Sequence, residues 1–158
     1  MWKENTTLNF HVTEKEENSS LFKPDKDVIG SFEGKWSDTK RFEIIKTKQV
    51  KVTTLNDMLD YYVDELKKQN IDIEFGELKL DTQGSEYEII QGADKYISKF
   101  QWVITEAEIE PIYIGQKLFE DVKSLLSNYG FEFVKWNREV QWGRPVFGDA
   151  LFKFGGNK

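Results

Sequence analysis

Apolar and polar residues alternate through Leu8-Asn9-Phe10-His11-Val12, the period of a half-buried strand. His11 falls on the polar side of that pattern and reads as a solvated histidine. Thr13 to Ser20 is polar and charged, so it reads as a loop, and residues 26–40 mix charge with Gly30 and Gly34 as a surface excursion does. Phe42, Ile44 and Ile45, followed by Val50 and Val52, predict a pair of strands or one long bent strand. Thr54 then offers an N-cap, with Asp57 three residues on as a weaker capping-box partner. Leu55, Met58, Leu59, Tyr62, Val63 and Leu66 recur at helical spacing to about Gln69, and Lys67 and Lys68 suit the negative end of the helix dipole.

The pattern continues with a predicted strand over Phe75–Asp81, a helix from Glu86 to about Gln91 closed near Gly92, and a strand over Trp102–Glu108. Pro111 breaks the chain. Lys117 to Asn128 carries an apolar stripe of Leu118, Phe119, Val122, Leu125 and Leu126, with Gly130 placed as a C′ glycine. Phe131–Trp136 and Ala150–Phe154 close the series as strands. Strands that alternate with helices imply parallel pairing and an α/β sandwich. Residues 1–158 read as one domain, with 13–49 as a loop and hairpin excursion.

Composition narrows the function classes. A chain of 158 residues with 39% hydrophobic and 15% aromatic residues can bury a real core. The net charge of -6 argues against a phosphate-backbone binder, so no nucleic-acid partner is expected. There is no cysteine, which excludes disulfides, cysteine zinc sites and a thiol nucleophile, and fits a cytoplasmic protein. No apolar run approaches the ~18 residues of a membrane helix, so no membrane partner is expected. With one histidine, a multi-histidine metal site is excluded.

The chemistry concentrates at strand ends. Leu78-Lys79-Leu80-Asp81 reads as a strand stopping at an acid, and Thr82-Gln83-Gly84-Ser85-Glu86 as the turn into a helix. Ligands collect at the carboxyl ends of strands in open α/β sheets. Glu108 ends the following strand, and neighbouring strands lie about 5 Å apart, so Asp81 and Glu108 are expected to face one crevice. Two such carboxylates suit accepting a hydroxyl proton, holding sugar hydroxyls or sharing a cation. Glu86 reads equally well as a helix cap, and Gly84 as a tight turn. Tyr113 and Gln116, in the loop after Glu108, are candidates to close over a ligand. Trp136, Trp142 and Phe147 read as core or sheet cover before they read as an aromatic rim. Lys35, Lys40, Arg41, Lys46, Lys48 and Lys51 read as a solvated face.

The run from Leu78 to Glu86, continued by Ile89-Ile90-Gln91-Gly92-Ala93, resembles the central motif of FkbM-type methyltransferases. Val52-Thr53-Thr54-Leu55-Asn56-Asp57 is similar to that family's entry into a helix, with Asn56 where Asp is usual. Glu108 through Pro111-Ile112-Tyr113 to Gly115-Gln116, Asn128-Tyr129-Gly130-Phe131 and Ser19-Ser20-Leu21 also resemble family segments. The resemblance implies a Rossmann-like class I methyltransferase sandwich with a mostly parallel sheet. It implies S-adenosyl-L-methionine as cofactor and a small-molecule or glycan hydroxyl as methyl acceptor. By the same resemblance Asp81 is catalytic, Asp81 and Gln83 bind cofactor, and Glu86, Glu108, Tyr113 and Gln116 bind substrate. No metal is assigned.

The family's first two strands, with their glycine-rich turn, have no counterpart upstream of Val50. The chain therefore reads as N-terminally truncated, the C-terminal portion of a methyltransferase, with an open edge on the Phe75–Asp81 strand. Open edges pair with other chains. The competing expectation is a non-catalytic binding or assembly module derived from such an enzyme. A metal-dependent variant using Asp81 and Glu108 rests on too few ligands.

Overall fold

A computed structural model describes residues 1–136 and 147–156, so Trp142 lies outside the described residues. The elements, in order, are β1 (Thr6–Thr13), α1 (Lys26–Gly30), β2 (Ile44–Val52), α2 (Leu55–Lys68), β3 (Glu77–Leu80), α3 (Glu86–Gln91), β4 (Trp102–Glu108), α4 (Phe119–Asn128), β5 (Phe131–Trp136) and β6 (Phe147–Phe154). Local chemistry sets most of their boundaries. The Thr54 hydroxyl accepts from the Asp57 N–H at 3.0 Å and opens α2. The Asp121 carboxylate accepts from the Leu118 N–H at 3.1 Å and opens α4. Gly130, at φ 88°, takes the left-handed position that ends α4 and lets β5 begin at once.

The strands form a β1–β2 hairpin and a four-stranded sheet of order β3-β4-β6-β5. Only β3 and β4 pair in parallel; β6 runs antiparallel to both β4 and β5. The sheet is therefore mixed, not mostly parallel. The strand–helix alternation did set direction correctly: β3, β4 and β5 all run one way. The reversed strand β6 inserts between β4 and β5, and this placement makes two of the three pairings antiparallel.

The principal core lies on one face of this sheet. Leu80, Val103, Ala107, Ala150 and Phe152 from the strands meet Ile89 and Ile90 of α3 and Val122 and Leu126 of α4. A strand alternates its faces. Because Val103 and Ala107 point into that core, Ile104, Glu106 and Glu108 of β4 point to the opposite face. A second cluster of Ile29, Phe32, Phe42, Ile112 and Tyr113 is buried apart from the main core. Residues 26–40 thus supply core side chains and are more than a surface excursion. Trp36 also reaches Phe147 of β6, with ring centroids 5.1 Å apart.

Candidate functional site at the carboxyl ends of β3 and β4

The parallel register places Leu80 opposite Thr105, so the next residue, Asp81, lies level with Glu106. Glu106 is in turn the partner of Asp149 on β6. Lys79 reaches over this face, with Nζ 3.0 Å from Asp149 Oδ1 and 3.7 Å from Asp81 Oδ2. The Asp81 side chain is 53% exposed, so it is open to a ligand. Burial, reinforced by the charges of Asp81, Glu86 and Asp149, pushes Glu106 up to about 7.

The turn after Asp81 is strained and tightly packed. Gln83 adopts φ 55°, a left-handed conformation that costs a non-glycine residue ~1 kcal/mol or more. Its carboxamide uses both ends: Nε2 donates to Glu106 Oε2 at 3.0 Å, and Oε1 lies 3.0 Å from the Tyr113 hydroxyl. Its backbone carbonyl accepts from the Ser20 hydroxyl at 2.6 Å. Gly84 follows at φ 94°, and a Cβ there would meet the Tyr113 ring at 3.1 Å and the Gln116 carboxamide carbon at 3.2 Å. The motif turn and the loop after β4 therefore pack against one another as one unit.

Glu86 does cap its own turn, accepting from the Thr82 N–H at 2.6 Å and the Thr82 hydroxyl at 2.9 Å. It is nevertheless buried, and burial raises its pKa. Glu108 is only 3% exposed. Burial first, then the charges of Glu86 and Glu106, hold it protonated well above the ordinary glutamate range, and the Gln116 carboxamide beside it partly opposes this. Gln116 Oε1 accepts from the N–H groups of Ile112 and Tyr113 at 3.0 and 3.2 Å. Tyr113 is fully buried, with its hydroxyl also 3.0 Å from the Asn18 carbonyl. Burial raises the Tyr113 pKa, so the phenol keeps its proton.

The candidate residues thus separate into two layers. Asp81 and Gln83 reach the accessible layer; Glu86, Glu108, Tyr113 and Gln116 form a buried layer behind them. The carboxylate level with Asp81 is Glu106, whereas Glu108 interacts with Glu86. Sequence reasoning missed Glu106, Lys79 and Asp149; the signal available for Glu106 was an acid on the same strand face as Glu108. His11 corrects an expectation: it is buried, its Nδ1 lies 3.1 Å from the Thr47 hydroxyl, and its pKa is lowered by burial and by Lys23. Burial wins because His11 pairs with Ser20 through backbone hydrogen bonds at 2.8 and 3.1 Å, which cover its side of the hairpin.

Other features lie elsewhere. Trp136 packs on Phe119 with centroids 4.7 Å apart, and Phe147 meets Trp36 edge to face, so the two do not form one rim. A cleft of about 520 Å³ between α2 and residues 71–75 opens near Phe75, before the start of β3 and away from Asp81. Among the described residues no group of three acidic or histidine side chains is arranged to hold a metal ion. No helix among them is long and apolar enough to cross a membrane.

Fold and site together define an α/β domain with a polar site at the ends of two parallel strands. The family model described as the methyltransferase FkbM domain matches residues 3–133, and the chain belongs to that family. No curated protein and no solved structure matches it.

Proposed function

We propose that this chain is an S-adenosyl-L-methionine-dependent O-methyltransferase acting on a hydroxyl of a sugar or secondary metabolite. The observation that carries the reading is the half-exposed Asp81 at the end of β3, level with Glu106, in a chain matched over 3–133 by the FkbM methyltransferase family. The donor is cationic at its sulfonium and ammonium groups and carries ribose hydroxyls. Asp81 is a residue of matching chemistry and would hold its charged end, with Gln83 behind it. The run before β3 supplies no glycine-rich strand-to-helix turn among the described residues. When bound, the donor supplies an electrophilic methyl group.

The chain's own residues would do the rest. Asp81 accepts a hydrogen bond from the acceptor hydroxyl and aligns its oxygen. Lys79 lies against both Asp81 and Asp149 and offsets part of their charge. Much of the rate gain in such a transfer comes from positioning. The test is tritium transfer from methyl-labelled S-adenosyl-L-methionine to a panel of methyl glycosides. Wild-type transfer is expected, with loss in Asp81→Asn and an unchanged circular dichroism spectrum. Full turnover in the Asn variant would remove Asp81 from the mechanism.

A second reading, a binding or assembly module without catalysis, is favoured by one observation. Among the described residues no strand pairs with the outer edge of β3. Calorimetric titration with S-adenosylhomocysteine separates the two. A folded chain that takes up none of it would favour the module.

A further inference from the structure

We infer that Glu106 is the group that receives the acceptor hydroxyl's proton, and that Gln83 is the positioning residue that holds it for that task. This rests on the methyltransferase reading above. Three carboxylates, the exposed Asp81, Glu106 and the buried Asp149, lie on one face of the sheet at the strand ends. Two of them, Asp81 and Asp149, lie against Lys79 Nζ, at 3.7 and 3.0 Å. Glu106 is held by a neutral donor, the Gln83 amide on Oε2 at 3.0 Å. That bond fixes the carboxylate plane and leaves Oε1 without a donor among the described residues.

The support behind Gln83 is extensive. Its side chain is fixed at the other end by Tyr113, a buried phenol. Its main chain is clasped by Ser20 Oγ in a left-handed conformation. Strain of this kind persists only where the surroundings impose it. Here the surroundings impose it on a side chain that bridges Tyr113 and Glu106. An ordinary helix-turn residue would need none of these contacts.

The charge environment suits proton uptake near neutral pH. Facing Glu106 are Asp81 from the end of β3, Glu86 from α3 and Asp149 from β6, all of which oppose its ionisation. Lys79 from β3 favours ionisation, and burial is the largest influence. A base is most effective when its pKa lies near the working pH. In the step itself the hydroxyl oxygen bonds to the methyl carbon, and the carbon–sulfur bond breaks with its electron pair going to sulfur. The hydroxyl proton passes to Glu106 Oε1. Asp81 orients the hydroxyl.

Two readouts test this. The first needs no cofactor: carbon-detected NMR titration of the Glu106 carboxyl in the intact chain. A midpoint near 7 is expected, moving upward in Gln83→Met, which keeps the side-chain length and loses the donor. A midpoint in the ordinary glutamate range, or one that Gln83→Met leaves unmoved, overturns the pairing. The second is methyl transfer to the glycoside panel. Glu106→Gln is expected to lose ~10²–10⁴-fold in kcat. Gln83→Met should lose up to ~10²-fold and shift the acid limb of the pH–rate profile. Transfer by wild type that Glu106→Gln retains overturns this inference alone. No transfer by wild type to any acceptor overturns the methyltransferase reading, and this inference with it.

Discussion

Glu108, Glu86 and Glu106 are carboxyls that folding makes weaker acids, each chiefly through burial. The folded chain therefore binds their protons more tightly than the unfolded chain does. Their stabilising contribution is complete below about the ordinary value of 4.5 and is lost as pH rises; for Glu106 the window runs from 4.5 to about 7. Each fully titrating group adds a slope of up to about 1.4 kcal/mol per pH unit. His11 acts in the opposite sense below 6.5, because burial lowers its pKa. Glu108→Gln leaves His11 untouched, so comparison with wild type reads Glu108 together with its charge coupling to Glu86 and Glu106. Urea unfolding from pH 5 to 8 should show wild-type stability declining. The Gln variant should decline less and be the more stable protein at pH 8. Parallel curves would show that Glu108 is not linked to folding. Gly84→Ala tests the turn in the same way. The left-handed φ and the 3.1 Å approach to Tyr113 should cost ~1–3 kcal/mol, read as a lower melting temperature. The residues of this turn were legible in sequence because a strand-ending acid and a glycine turn are local patterns. Glu106 was not, because its place beside Asp81 depends on the register between β3 and β4, and periodicity does not encode register.

Helices and strands show the same division between local and non-local information. The start of α2 was readable from Thr54 and Asp57, and its end from Lys67 and Lys68, because capping and dipole effects act within one turn. β4 and α3 begin and end where the apolar pattern put them. The reversed insertion of β6 was not readable, since strand order is decided by packing across the whole sheet. Nor was the second core, because Ile29, Phe32, Trp36 and Phe42 are scattered among charges with no regular period. The stripe of α2 does mark a helix, Leu55–Lys68, but little of it is buried. Only Leu55 is fully buried, Met58 and Leu59 touch the core, and Tyr62 is 55% exposed beside Tyr61 at 64%. A helix with so little buried surface opens at low cost. Hydrogen exchange should therefore be faster along α2 than along β4. Thr54→Ala should remove ~1 kcal/mol of local helix stability. The expected signature is faster exchange in α2 amides with β4 amides unchanged; equal acceleration in both would mean that α2 unfolds only with the whole domain.

At the scale of the molecule, the segment from Asn18 to Asp25 is clasped to the sheet at the site. The Tyr113 hydroxyl meets the Asn18 carbonyl, Ser20 bonds Gln83, and the Ile114 and Asp25 N–H groups donate to Lys23 and Ile112 carbonyls at 2.8 and 2.9 Å. These bonds tie the β1–β2 side of the protein to the strand-end turn. The opposite flank is different: among the described residues, β3 pairs only with β4, and its outer edge carries no strand. Such an edge presents unpaired backbone groups that another chain can extend. Two features restrain it here, the strand's length of four residues and the exposed charges of Glu77 and Lys79. Lys79 also serves the site, so Glu77 is the residue whose removal tests the edge alone. Glu77→Val makes the strand more apolar and raises its β-propensity without touching Asp81 or Glu106. Sedimentation velocity across a concentration series should show the variant associating more strongly than wild type, with the Glu106 carboxyl titrating as before. A variant that sediments as wild type does at every concentration would show that the β3 edge is not an association surface.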